Sequence, residues 1–297
     1  ASVGEDKPIT AELGCISPVI VVPGLWSSRH LAYQARHVAG MLTTNGGFNC
    51  NAAQVLITSR QWPQREAFLN EVRRALSKVP ARPAFYPGSV DRHKSLLTSY
   101  PQAEQLGPPG MDSIPWTLIS GLSPDADERG FREEAFCGTL YEVALDVAYP
   151  DFLSSATAFA NDRLWGNLSA TILISPDSQR NLPWRRALEE LRYGAIGVNI
   201  WAGMVFALVN LPWGAYPGNT PKDIQSGVDF VHNTANVANI EKAVLHAPFW
   251  SLLRMPWQSG FPRMRSFAKA LTDFEYKPNW KALLRSYFEL LRGGVGM

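Results

Sequence analysis

Hydrophobic and polar positions along this chain follow two alternating rhythms. Ser17-Pro18-Val19-Ile20-Val21-Val22 is a short β-branched run closed by Pro23-Gly24, and it reads as a buried strand. Residues 28–43 have helical character and run into Asn45-Gly46-Gly47, a sequence suited to a C-cap. A second strand is expected over 54–59. Residues 63–79 then place Phe68, Leu69, Val72, Leu76 and Val79 at helical spacing, with Pro63 at the start and charges on the opposite face.

From 101 to 130 the composition shifts to Pro, Gly and Asp, broken by the strand-like Trp116-Thr117-Leu118-Ile119-Ser120. Such a stretch reads as a functional loop or an insertion. A strand is expected at 139–148, a helix at 152–164, a strand at 170–175, a helix at 184–193 ending at Gly194, and a strand at 195–201. Strand and helix signals that alternate in this way predict an α/β architecture with a mostly parallel sheet.

The last sixty residues read as mostly helical. Asn279 is a good N-cap, and Trp280, Leu283, Leu284, Tyr287, Phe288 and Leu291 follow at i, i+3, i+4, i+7, i+8 and i+11. Gly293-Gly294 is expected to stop this helix, and its wide apolar stripe to pack on the body of the domain or on another subunit.

Composition narrows the functional classes. The chain has 297 residues, is 46% hydrophobic and 18% charged, and carries a formal net charge of +2. That balance makes no electrostatic case for nucleic acid. No apolar run approaches the ~20 residues of a membrane-spanning helix, so no membrane partner is expected. The chain opens Ala-Ser-Val-Gly-Glu-Asp, without the basic and apolar regions of a secretory signal. Three widely spaced cysteines, Cys15, Cys50 and Cys137, suit reduced thiols in a cytoplasmic protein better than a disulfide framework. The histidines at 30, 37, 93, 232 and 246 form no ligand spacing with them, and no metal is expected.

The candidate chemistry centres on Asn45-Gly46-Gly47-Phe48-Asn49-Cys50-Asn51-Ala52-Ala53. This is a glycine-lined turn between a helix and a strand, the kind of place where α/β enzymes hold a nucleophile. Glycine lets a substrate approach the backbone closely, and neighbouring backbone N–H groups could face an oxyanion. On its own, a cysteine in such a place is ordinarily a small buried apolar residue.

Six motifs in order over residues 8–218 change that reading. They are Glu12-Leu13-Gly14-Cys15-Ile16-Ser17-Pro18, Gly47-Phe48-Asn49-Cys50 and Glu133-Glu134-Ala135-Phe136-Cys137-Gly138. Further on come Ala160-Asn161-Asp162 with Gly166-Asn167-Leu168-Ser169-Ala170, Leu191-Arg192-Tyr193-Gly194 through Val198-Asn199, and Pro212-Trp213-Gly214-Ala215-Tyr216. Together they resemble the catalytic half of the aldehyde dehydrogenase superfamily.

The resemblance implies a three-layer α/β/α catalytic domain over 1–238, with 101–130 as a loop or insertion, and a helical C-terminal extension over 239–297 packed on it. It implies Cys50 as the nucleophile that attacks an aldehyde, activated by a locally lowered pKa, and Glu12 as the base that activates water against the resulting thioester. By the same resemblance Glu134 would hydrogen-bond a cofactor ribose and Phe136 would pack near the nicotinamide of NAD or NADP. Asn199 and Trp213 read as structural, and Cys15 and Cys137 as small packing residues. The partners implied are a small aldehyde and a second copy of the chain.

The chain also departs from the family's pattern. Phe48 replaces the usual glutamine, Cys15-Ile16 replaces Gly-Lys, and Cys137-Gly138 replaces Gly-Pro. Only eleven residues precede Glu12, and no G-x-G-x-x-G turn occurs. The resemblance therefore implies the catalytic part of a longer enzyme, expected to lack dehydrogenase activity alone. Three alternatives stay open: an acyl-CoA-forming or acyl-CoA-reducing enzyme, in which a thiol takes the acyl group; a catalytically retired interaction domain; and a thiol-dependent esterase.

Overall fold

A run of buried β-branched residues can be satisfied on both faces only inside a parallel sheet, and that is where most strands of this chain lie. The computed structural model describes residues 9–108, 110, 112–208, 210–234, 237–258 and 260–294. The first six residues, read above for a leader, lie outside the described ones.

The first half of the chain forms β1 (Ala11–Glu12), β2 (Ser17–Val21), α1 (Ser28–Thr43), β3 (Ala53–Ser59), α2 (Arg65–Ser77), α3 (Ser89–Ser99), β4 (Glu104–Leu106), β5 (Trp116–Leu122), α4 (Arg129–Arg132) and β6 (Thr139–Leu145). The second half adds α5 (Phe152–Arg163), β7 (Ser169–Leu173), α6 (Pro176–Asn181), α7 (Trp184–Glu190), β8 (Ala195–Val198), α8 (Gly203–Ala207) and β9 (Trp213–Gly214). Then come β10 (Gly227–Val228), β11 (Phe230–His232), β12 (Ala243–His246), α9 (Met264–Tyr276) and α10 (Trp280–Gly294).

Eight strands form the central sheet in the order β12-β8-β7-β2-β3-β6-β5-β4. All pairings are parallel except the edge strand β4, which runs antiparallel to β5. Alternation along β2 sorts its side chains between two layers. Val19 and Val21 pack with Leu31, Val38 and Phe68 of α1 and α2, whereas Ile20 packs with Ala156 and Ala160 of α5. The result is the expected three-layer α/β/α arrangement.

Within the 101–130 stretch the strand-like run is β5, an inner strand paired with β6, because Trp116, Leu118, Ile119 and Leu122 are all buried. Two expectations differ from the fold. The segment after 238 is not helical until α9. It instead supplies β12, which pairs in parallel with β8 at the sheet edge. Finally, Gly293 and Gly294 lie inside α10 rather than beyond it. A Cβ on Gly293 would stand 2.4 Å from the Phe261 ring, so close packing calls for glycine there. The Asn279 cap is present, with Asn279 Oδ1 accepting from the Ala282 N–H at 3.0 Å.

Candidate active site

Neighbouring parallel strands start at the same edge of a sheet, so the residues just ahead of β2, β3 and β6 are brought together by topology alone. Glu12 and Gly14 precede β2, Cys50 precedes β3, and Glu134 and Phe136 precede β6. All five line one cavity of about 570 Å³, together with Leu13, Phe48, Asn49, Tyr86 and Arg92.

Glu12 is held from the far end of the chain. Its strand β1 pairs antiparallel with β10. Leu13 N–H donates to Ser226 O (2.8 Å), and the Ser226 hydroxyl donates to Gly14 O (2.8 Å). Gly227, at φ +137°, has room for no side chain, because a Cβ would meet Ala11 O at 2.1 Å. One carboxylate oxygen of Glu12, Oε1, is buried with no hydrogen-bond partner among the described residues.

The Cys50 turn is set by left-handed backbone at Asn45, Gly46 and Gly47 (φ 54°, 72° and 83°). Asn45 Nδ2 donates to Phe48 O at 3.0 Å and Asn49 Nδ2 to Thr44 O at 3.0 Å, tying the turn to itself. Trp201 Nε1 donates to Asn51 O at 2.9 Å and secures its far side. Four aromatic rings cluster about Phe48, and three of them, Phe48, Tyr86 and Phe136, line the cavity with Cys50. Phe48 contacts Phe85 (4.8 Å between centroids), Tyr86 (5.9 Å) and Phe136 (5.9 Å), and Tyr86 meets Phe136 edge-on at 4.8 Å.

Glu134 leans into the space a side chain at Gly14 would fill: a Cβ there would stand 1.8 Å from Glu134 Oε2. Cys15 N–H donates to Glu134 Oε1 (3.3 Å), and so does Gln54 Nε2 (3.4 Å). Gln54 is the hub that joins the three strand starts. Its Nε2 also donates to Cys15 O at 2.9 Å, and its Oε1 accepts from Ala135 N–H at 2.9 Å.

The electrostatics of the cysteine differ from expectation. A lowered thiol pKa was anticipated; the structure raises it, first through burial, then through the hydrogen bond to Glu12 and the negative charges of Glu12 and Glu134. Two carboxylates facing one thiol favour the proton-bearing form. Burial also lifts Glu134 to about 7, against the opposing pull of Cys15 N–H, Gln54 and Arg92. Cys15 and Cys137 are fully buried among core side chains. Asn199 clamps β7 to β8 by a two-way hydrogen bond with the Ile174 backbone (2.8 and 3.0 Å), and Trp213 is buried.

Sequence reasoning missed Gln54, Tyr86 and Arg92. Gln54 did carry a signal, as the one polar residue opening the apolar run of β3. Helix α3, which carries Arg92, buries only Ser89, His93 and Leu96, too sparse a stripe to mark a helix.

No family model matches the chain, and no curated protein sequence does. Solved structures do match. They include a gamma-glutamyl-gamma-aminobutyraldehyde dehydrogenase from Burkholderia cenocepacia (TM-score 0.59, 23% identity, 77% of this chain and 45% of that one). An NADP-dependent glyceraldehyde-3-phosphate dehydrogenase from Bacillus halodurans, solved with NADP, matches with TM-score 0.61 and 15% identity over 80% of this chain and 47% of that one. An indole-3-acetaldehyde dehydrogenase from P. syringae, solved with NAD+, matches with TM-score 0.61 and 20% identity over 77% and 45%. The fold is that of the aldehyde dehydrogenase catalytic domain. The chain spans a little under half the length of these aldehyde dehydrogenase structures.

Proposed function

We propose that this chain is the catalytic domain of an NAD(P)-dependent aldehyde dehydrogenase that oxidises an aldehyde to a carboxylic acid. The observation that carries the reading is the meeting of Cys50 with Glu12 in one cavity, alongside Glu134 and Phe136.

In this reading the Cys50 thiol gives up its proton to Glu12, which passes it to solvent, as the sulfur adds to the aldehyde carbonyl and the C–S bond forms while the C=O π bond opens. A bound oxidised nicotinamide would supply the hydride acceptor for the carbonyl carbon and a positive charge that favours the thiolate, with Phe136 and Glu134 as the residues that would hold its ring and ribose. The acyl group is then held on Cys50 as a thioester. Glu12 takes a proton from an attacking water, the C–S bond breaks, and the acid is released with the sulfur restored. The free Oε1 of Glu12 is an acceptor suited to that water.

The residues present fit the ring-and-ribose end of the cofactor. Phe136 and Tyr86 offer flat apolar faces, Glu134 offers an acceptor for a ribose hydroxyl, and Gly14 leaves the carboxyl group room. The raised Cys50 pKa fits a nucleophile that stays quiescent as the thiol until a cation comes near it.

The test is reduced-nicotinamide formation from NAD+ or NADP+ with aldehydes, using the longest natural polypeptide that contains these residues, with and without coenzyme A. Turnover that is lost in Cys50→Ser and needs no coenzyme A supports the hydrolytic reading. Turnover that requires coenzyme A would replace it with acyl transfer to a thiol, and turnover that survives Cys50→Ser would sink both.

A further inference from the structure

The two C-terminal helices are packed inside out. α10 buries its small residues, Ser286, Gly293 and Gly294, and turns its large apolar ones outward. Trp280 is 79% exposed, Phe288 58%, Tyr287 55% and Leu284 52%. At i, i+4, i+7 and i+8 they form one stripe along the helix. α9 adds exposed Met264, Leu271 and Tyr276. The sequence pattern leads to the expectation that this stripe packs on the domain body or on another subunit; it does not face the body.

The charge of the hairpin is equally one-sided. Between 263 and 294 there are seven Lys and Arg against three Asp and Glu, in a chain whose whole net charge is only +2. Asp273 pairs with Arg285 and Glu289 with Arg263. Arg265, Lys269, Lys277, Lys281 and Arg292 make no ion pair among the described residues. Lys281, Arg285 and Arg292 fall at spacings of four and seven along one flank of the Trp280 stripe.

This combination selects among occupants. A symmetric dimer through this face would set the same patch of each copy against the other and bring two positive fields together. An anionic surface has no such cost. Aromatic and Leu side chains on one face beside Lys and Arg on the other are the composition of helices that lie in a lipid interface. At 15 residues, α10 is about 22 Å long, too short to cross a hydrocarbon core of ~30 Å. No helix among the described residues is long and apolar enough to cross a membrane.

We propose that the α9–α10 hairpin docks on the surface of a membrane rich in anionic phospholipid. α10 lies in the plane of the interface, with Trp280, Leu284, Tyr287 and Phe288 dipping into it and the basic flank against the headgroups. The sequence leads to no expectation of a membrane partner because it lacks a spanning run, but an interfacial helix needs no such run.

The test is co-sedimentation with vesicles of phosphatidylcholine alone or with about 30 mol% phosphatidylglycerol, at about 0.1 M and 0.5 M NaCl. Binding should be at least ~tenfold stronger to the anionic vesicles and weaken at the higher salt. Trp280→Ser with Phe288→Ser should weaken it by ~tenfold or more at unchanged circular dichroism, since both side chains are solvent-exposed before binding. Lys277→Glu with Lys281→Glu should remove the preference for anionic lipid. The proposal is overturned if neither vesicle binds, or if binding is the same in both double variants. It is equally overturned if the chain ignores vesicles and instead self-associates, or binds an acidic protein, through Trp280 and Phe288.

Discussion

The substitution Glu12→Gln keeps the shape of the side chain facing Cys50 and removes its charge. In the structure the thiol pKa is raised first by burial, then by the contact with Glu12 and its charge, with a further contribution from Glu134. Two unit charges about 4 Å apart interact by ~4 kcal/mol at an effective dielectric of ~20, or roughly 3 pK units at 1.36 kcal/mol per unit. The cavity opens to solvent, and screening should cut the gain to ~1–2 units. The thiolate fraction near neutral pH then rises by ~10- to 100-fold. A less basic thiolate is also a weaker nucleophile, with a Brønsted slope of about 0.5, so alkylation should speed up by ~3- to 10-fold. The assay is iodoacetamide labelling across about pH 6 to 10, read by mass spectrometry at each cysteine. Buried Cys15 and Cys137 serve as slow internal references. Acceleration at Cys50 is the expected result. An unchanged or slower rate in Glu12→Gln would refute the electrostatic reasoning, because it would mean that Glu12 does not act on the resting thiol as a like charge.

Other consequences follow from the same geometry. Glu134, raised by burial from 4.5 to about 7, binds its proton more tightly when folded. Its contribution to stability is therefore complete below pH ~4.5 and lost as pH rises through ~7, about 3 kcal/mol in all; Glu134→Gln should flatten that slope in urea melts. His37 is fully buried and depressed to about 3. It contributes stability above pH ~6.5 that is lost as pH falls toward 3, so His37→Gln should shift acid unfolding to lower pH in a circular-dichroism titration. Gln54→Leu strands the Cys15 carbonyl and the Ala135 N–H, which should cost ~2–4 kcal/mol in urea unfolding, with Gln54→Glu costing as much or more. Gly14→Ala drives a methyl into the Glu134 carboxyl, and a stability loss of ~1–3 kcal/mol is expected by the same measurement.

The core of the fold was legible because its strands announce themselves. β2, β3 and β7 are short apolar runs bounded by Gly, Pro and polar residues, and such runs have few other ways to be buried. Cys50, Glu12, Glu134 and Phe136 could be picked out only through motif order, since nothing local says that Cys50, 38 residues after Glu12, and Glu134, 84 residues after Cys50, share a cavity with it; the order of parallel strands does. What stayed hidden was set by tertiary contact. Gln54 looks like an interruption of β3 until its partners at Cys15, Glu134 and Ala135 are seen. The thiol's raised pKa depends on burial first and then on two carboxylates from other strand starts. β5 was legible as a strand-like run, but the prolines and glycines around it hid its inner place in the sheet, and the outward stripe of α10 obeys the same periodicity as an inward one. Periodicity shows that a helix has a face; it does not say which way the face points.

The most direct test of the Cys50–Glu12 pair is the lifetime of an acyl group on the protein. Wild type and Glu12→Gln are mixed with an activated ester, quenched over time and digested for mass spectrometry. Acylation confined to Cys50, cleared by wild type and persisting in Glu12→Gln, is the predicted result. Acylation elsewhere, or equal lifetimes in the two proteins, would contradict the assignment of Cys50 as nucleophile and Glu12 as the base that releases it.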